Sequence, residues 1–162
     1  MIIEVKKLFN SEKTIDLSYE IDLSEFEYAG SFPFTDSVKL KGKLSCKDGI
    51  IRLDVNIKFE FSVDCSRCAD YFSKQYDFDM KHEIVSSLNE EDKGTLILVE
   101  EDTLDLDEII ISDIVLYLPI KHLCDENCKG ICSKCGKNLN ESKCNCKDES
   151  HNRWEALKQL LD

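Results

Sequence analysis

Between Ile51 and Val63 the chain alternates apolar and polar residues without a break. Ile51, Leu53, Val55, Ile57, Phe59, Phe61 and Val63 fall on one side, and Arg52, Asp54, Asn56, Lys58, Glu60 and Ser62 on the other. A period of two sends successive side chains to opposite faces of an extended backbone, so the stretch reads as a strand with one buried face. After Cys65-Ser66-Arg67-Cys68 the pattern resumes with Phe72, Tyr76, Phe78, Met80 and Ile84. Setting Val63 opposite Phe72 brings the apolar residues of both strands to the same face, whereas a slip of one residue would turn one set outward. This register predicts a hairpin with Cys65 and Cys68 at its tip.

Neighbouring segments extend the sheet. Val38, Leu40, Leu44 and Cys46 alternate with Lys39, Lys41, Lys43 and Lys47 before Asp48-Gly49, a pair suited to a two-residue hairpin turn because both positions need positive φ. Pairing Lys47 with Ile50 puts Cys46 opposite Ile51 on the apolar face. Ile15, Leu17, Tyr19 and Ile21 give a fourth strand, and the run TLILV at 95–99 a shorter, more buried one. Asp105 with Glu108 three residues on reads as a capping box that opens a helix over 105–118, ended by Pro119. A last helix, NRWEALKQLL, places Trp154, Leu157, Leu160 and Leu161 on one side. The expected fold class is α+β: a mostly antiparallel sheet with a covering helix over 1–119, then a cysteine-rich zinc module with a short closing helix over 120–162.

The chain has nine cysteines, and the alternation turns Cys46 inward as a small core residue. Eight remain in four local pairs: Cys65/Cys68, Cys124/Cys128, Cys132/Cys135 and Cys144/Cys146. The opening MIIEVKKLFNSEKTIDL lacks the pattern of a secretory leader. No apolar run approaches the ~18 residues of a membrane span, since Ile109 to Ile120 is shorter and interrupted by Asp113. A soluble, cytoplasmic protein is expected, and in that reducing setting closely spaced cysteines are metal ligands rather than bridges. Cys132-Ser-Lys-Cys135-Gly136 is a typical zinc knuckle, and Cys144 and Cys146 offer its complement. One zinc is therefore assigned to Cys132, Cys135, Cys144 and Cys146. A second is assigned to Cys65, Cys68, Cys124 and Cys128, clamping the hairpin tip to the start of the module. Spacing leaves other pairings open, such as Cys128 with Cys132 and Cys135. The glycine after the second cysteine favours zinc over an iron–sulfur cluster.

A closed four-cysteine zinc site has no open position for water or substrate, which makes both sites structural. The sequence has no phosphate-cradling glycine loop, no nucleophile elbow and no deaminase signature, so neither an enzyme nor a small-molecule substrate is expected. His82 lies on the inward face of its strand and reads as a satisfied core histidine. His122, beside Cys124, reads as a substitute ligand, a group supporting that ligand or an exposed loop residue, and His151 as a solvated or capping residue at the entrance to the last helix.

Charge is unevenly distributed. The net charge is −12; residues 1–119 carry 13 basic and 26 acidic side chains, and residues 120–162 carry 8 basic and 7 acidic. An acidic body repels phosphate and attracts basic partners. The densest acid, Glu83 to Asp113, has eleven carboxylates against Lys93 alone. In the module, Lys129, Lys134, Lys137, Lys143, Lys147 and Arg153 are interleaved with the cysteines as candidate contacts to RNA phosphates or an acidic surface, diluted by Asp125, Glu126, Glu141, Asp148 and Glu149.

The run CKGICSKCGKNLNESKCNC, preceded by a helix ending in LPI and followed by RWEALKQLL, resembles the YceD family, known as large ribosomal RNA subunit accumulation proteins. CSRC between two long strands matches the family's earlier cysteine turn, and the resemblance runs from about Val63 to the end of the chain. It implies a non-enzymatic role in making or accumulating large-subunit ribosomal RNA, in bacteria and plastids, and a link to large-subunit assembly. The partner then expected is a large-subunit precursor, either a basic ribosomal protein or ribosomal RNA. A redox- or zinc-responsive regulator, with a labile metal and a disulfide at Cys65/Cys68, is the competing expectation.

Overall fold

The computed structural model describes residues 1–9, 13–87, 96–99 and 102–146. Along the chain these form β1 (Ile2–Glu4), α1 (Val5–Phe9), β2 (Thr14–Ile21), β3 (Val38–Lys47), β4 (Ile50–Asp64), β5 (Tyr71–Val85), β6 (Leu96–Leu98), β7 (Thr103–Asp105) and α2 (Leu106–Tyr117). The main sheet has the order β2-β3-β4-β5-β6, antiparallel except for the parallel pair β5/β6. Its register follows the alternation. Val63 faces Phe72, Cys46 faces Ile51 and Lys47 faces Ile50. Asp48 and Gly49 take φ of 54° and 76° in the turn between β3 and β4.

The apolar side of β4 is buried along its whole length, from Ile51 to Val63, and forms one core with Leu17, Val38, Leu40 and Leu44 of the neighbouring strands and Leu106, Ile110 and Ile114 of α2. Burying each such side chain is worth about 1.5–3 kcal/mol, which is why a long faultless alternation dominates the fold. Ser62 is the buried exception on the polar side; its hydroxyl pairs with that of Ser73 at 2.7 Å. The opposite face of the sheet carries cross-strand ion pairs, Arg52 with Glu83 at 2.9 Å and Lys58 with Asp77 at 2.7 Å.

α2 begins one residue inside the expected 105–118 range. The Asp105 carboxylate accepts from the Asp107 amide at 3.0 Å rather than from that of Glu108, so the cap uses the second helical residue instead of the third. At the other end Leu118 N–H bonds the Ile114 carbonyl and Pro119 stops the helix. Tyr117 stacks on Phe78 with ring centroids 3.8 Å apart, and His82 Nε2 meets Asp113 Oδ2 at 2.5 Å; both contacts join α2 to β5.

Two features depart from the sequence reading. β6 lies at the sheet edge, paired to β5 among the described residues, so Leu96 and Ile97 are half-buried and Leu98 is exposed, and of the more buried run expected over 95–99 only Val99 is fully buried; Thr95 lies outside the described residues. The N-terminal residues form a second, two-stranded sheet, β1 with β7, followed by α1, whose Val5 and Leu8 reach the core. No helix among the described residues is long and apolar enough to cross a membrane. The expected closing helix lies outside the described residues.

Candidate metal centres

The hairpin between β4 and β5 turns tightly enough to aim two sulfurs the same way. Cys65 N–H bonds the Asp70 carbonyl, Ala69 N–H bonds the Cys65 carbonyl, and Ala69 adopts φ 60° to complete the turn. Arg67 N–H points at Cys65 Sγ, 3.5 Å away. After Pro119 the chain folds back across this tip: Ser66 N–H bonds the His122 carbonyl at 2.7 Å, and Cys124 N–H points at Cys65 Sγ at 3.4 Å. An Asp125 turn, with its carboxylate accepting from Asn127 N–H, then delivers Cys128. The sulfurs of Cys65 and Cys128 lie 3.8 Å apart and those of Cys68 and Cys124 3.6 Å apart, and all four fall within 4.8 Å of one another. Three of the four cysteines are buried. We call this the inner cluster.

The next knuckle repeats the device. Cys132 N–H bonds the Lys137 carbonyl at 2.9 Å, Gly136 N–H bonds the Cys132 carbonyl at 2.8 Å, and Gly136 takes φ 71°. Cys144 and Cys146 return to it, and the four sulfurs again lie within 4.8 Å. Cys135 and Cys146 are exposed, so this outer cluster is the more accessible one. All eight thiols are free, well beyond the ~2.05 Å of a disulfide where a sulfur separation is given above.

Electrostatics in each cluster favour a cation. Burial raises the Cys65 thiol, but the amides of Cys124, Cys68 and Arg67 outweigh it and hold its pKa down to about 6. The Cys135 and Lys134 amides bring Cys132 down to about 6. Cys128 also comes down, through the Asn140 side chain, while burial raises Cys124 and hydrogen bonding with Cys135 pushes Cys146 up to about 12. Adjacent thiolates repel, so some ionise at their neighbours' expense unless a positive ion sits among them. Each group of four can hold a metal ion.

Around the inner cluster lie residues that the sequence reading missed. The Arg67 guanidinium donates to the carbonyls of Glu126 and Cys128, at 3.2 and 3.0 Å, fastening the returning loop to the hairpin. Ile131 N–H bonds the Arg67 carbonyl, and Gly130, at φ 74°, runs so close that an added Cβ would meet that oxygen at 3.0 Å. Asn138 and Asn140 reach back from the outer knuckle. The one sequence signal is for Asn138, since an asparagine often bonds the backbone N–H two residues on; here Asn138 Oδ1 accepts from Asn140 N–H at 2.9 Å.

The remaining candidates fall elsewhere. Cys46 is buried in the sheet core. His82 is satisfied by Asp113. His122 is neither a member of the cluster nor an exposed loop residue: its ring packs between Phe61 and Tyr28, at 5.1 and 5.8 Å, and burial lowers its pKa. Lys129, Lys134, Lys137 and Lys143 are exposed around the outer knuckle, as are Asp125, Glu126 and Glu141. Lys147, His151 and Arg153 lie outside the described residues.

The fold and site define an α+β protein whose largely antiparallel sheet carries two four-cysteine clusters at one end. Residues 53–161 match the family model described as "Large ribosomal RNA subunit accumulation protein YceD", and the chain belongs to that family. It is 48% identical over 44 residues to "Large ribosomal RNA subunit accumulation protein YCED homolog 1, chloroplastic" from Arabidopsis thaliana; the match covers 26% of this chain and 14% of that relative's length. No solved structure matches. The family is named for a role in large-subunit ribosomal RNA accumulation.

Proposed function

We propose that the protein is a non-enzymatic factor in large-subunit assembly, built as a sheet body over 1–119 and a module over 120–162 that two zinc ions hold in place, and that it binds a basic ribosomal protein or precursor RNA. The observation that carries the structural part is the all-thiol donor set of each cluster. Four thiolates at tetrahedral spacing suit zinc, whose bonds to sulfur of about 2.3 Å imply sulfurs about 3.8 Å apart. The inner separations of 3.6 and 3.8 Å fit that spacing. Cys65, Cys68, Cys124 and Cys128 would hold one ion, and Cys132, Cys135, Cys144 and Cys146 the other. Zinc bound this way supplies folding free energy and no reaction site.

The binding role draws support from the family and from charge. A sheet body whose 26 acidic side chains outnumber its 13 basic ones favours a basic protein partner, while Lys129, Lys134, Lys137 and Lys143 beside the outer knuckle, with Lys147 and Arg153 further on, suit RNA phosphates. The competing regulator reading needs oxidation at Cys65/Cys68, yet these are only 3% and 4% exposed.

The test is the ratio of large- to small-subunit ribosomal RNA in depleted cells rescued with wild type or Cys132→Ser. A fall in large subunits restored by wild type alone is expected. An unchanged ratio on depletion would sink the assembly role.

A further inference from the structure

The clusters are joined by side chains that neither needs as ligands. Asn138 and Asn140 lie in the loop that the outer cluster closes, between Cys135 and Cys144. Asn140 Nδ2 donates to Cys128 Sγ at 3.2 Å, while its Oδ1 accepts the Lys129 N–H at 2.7 Å. One amide thus grips an inner ligand and the peptide that follows it. On the other side, Asn138 Nδ2 donates to Asp70 Oδ2 at 2.5 Å, two residues beyond Cys68. The backbone takes the same path, with Leu139 N–H bonding the Gly130 carbonyl at 2.8 Å.

These bonds require the 136–144 loop to be ordered, and ordering a free loop costs conformational entropy. An ion in the outer cluster closes that loop and presents Asn140 to Cys128 already oriented. A donor aimed at a ligand sulfur fixes its direction toward the metal, and losing such an outer partner commonly changes metal affinity by about 10–100-fold. Thermodynamic linkage makes the effect reciprocal: whatever the outer ion does for inner affinity, the inner ion does for outer affinity by the same factor.

We propose that the two clusters load metal cooperatively and that Asn140 is the positioning residue that carries the coupling. This rests on both clusters binding metal and deepens that reading. The reduced, metal-free full chain is titrated with zinc against a chromophoric chelator, beside two single-cluster backgrounds. Cys132→Ser/Cys135→Ser leaves the inner cluster, and Cys65→Ser/Cys68→Ser leaves the outer one. Each isolated cluster should bind about tenfold more weakly than in the wild type, by matching factors. Asn140→Ala should weaken inner binding about tenfold in the wild type and change nothing once the outer cluster is lost.

Equal affinities with and without the other cluster would overturn the proposal. So would an Asn140→Ala loss that persists undiminished in the Cys132→Ser/Cys135→Ser background, since the bond would then act locally. Asn140→Ala keeps all eight cysteines, so its loss of cooperative two-ion uptake tests the idea even where a cysteine variant does not fold. A wild-type chain that takes up no zinc would overturn the metal reading and this inference together, whereas two ions bound independently would overturn the inference alone.

Discussion

Gly42 occupies an inward position in β3 where the alternation of valine and leucine is interrupted, and the reason is the neighbouring backbone. A Cβ there would lie 2.1 Å from the Asp54 carbonyl oxygen and 2.7 Å from Val55 Cα, neither of which can rotate away as a flexible side chain could. Gly42→Ala should therefore push β3 from β4 and cost about 1–3 kcal/mol, the usual range for overpacking a core, read as a lower urea midpoint. Cys46 makes the contrasting case. It is buried opposite Ile51 and far in function from the clusters, so Cys46→Val should leave zinc stoichiometry at the wild-type value by atomic absorption, while Cys132→Ser lowers it by about one ion per chain. At this scale the sequence is legible where position along a strand decides a side chain's fate, as for Cys46. It is opaque at Asn140, because an asparagine in a loop looks the same whether it faces water or a sulfur.

Elements were legible in proportion to their length and period. β4 and β5, each of 15 residues, fix their own register because any slip would expose a full apolar face. β1, α1 and β7, of 3, 5 and 3 residues, are shorter than one cycle of a recognisable pattern, and their structure depends on contacts about a hundred residues apart, such as Ile3 with Leu104. α2 is intermediate: its start is written in the sequence, but which amide Asp105 would cap is settled by local geometry. That cap gives a direct test. Asp105→Ala should lower the melting temperature, and Asp105→Asn, which keeps an acceptor at the same place, should recover most of the loss. Equal melting of all three proteins would show that the packing of Leu106, Ile110 and Ile114, rather than the cap, holds the helix start.

For the whole molecule, the four cysteine pairs are visible in the chain, but their meeting depends on residues 119–128 folding back over the β4/β5 tip, a path held by single bonds such as Ser66 to His122 and Arg67 to Cys128. No periodic signal encodes such a path. It also separates what metal supports from what it does not: the apolar core of the sheet contains none of the eight clustered cysteines. Chelation should accordingly expose the amides of 120–146 to rapid hydrogen exchange while those of β3 and β4 stay protected, and loss of protection throughout would refute the two-part reading. The partner can be separated by salt. If the outer module grips single-stranded precursor RNA through Lys129, Lys134, Lys137 and Lys143, replacing all four with glutamine removes up to four phosphate contacts. The slope of log K against log salt should then fall in magnitude by roughly 3, at about 0.7 per contact. If instead the acidic body holds a basic protein, the same variant should bind that partner with an unchanged slope, because the charges that attract it lie on the sheet and not beside the knuckle.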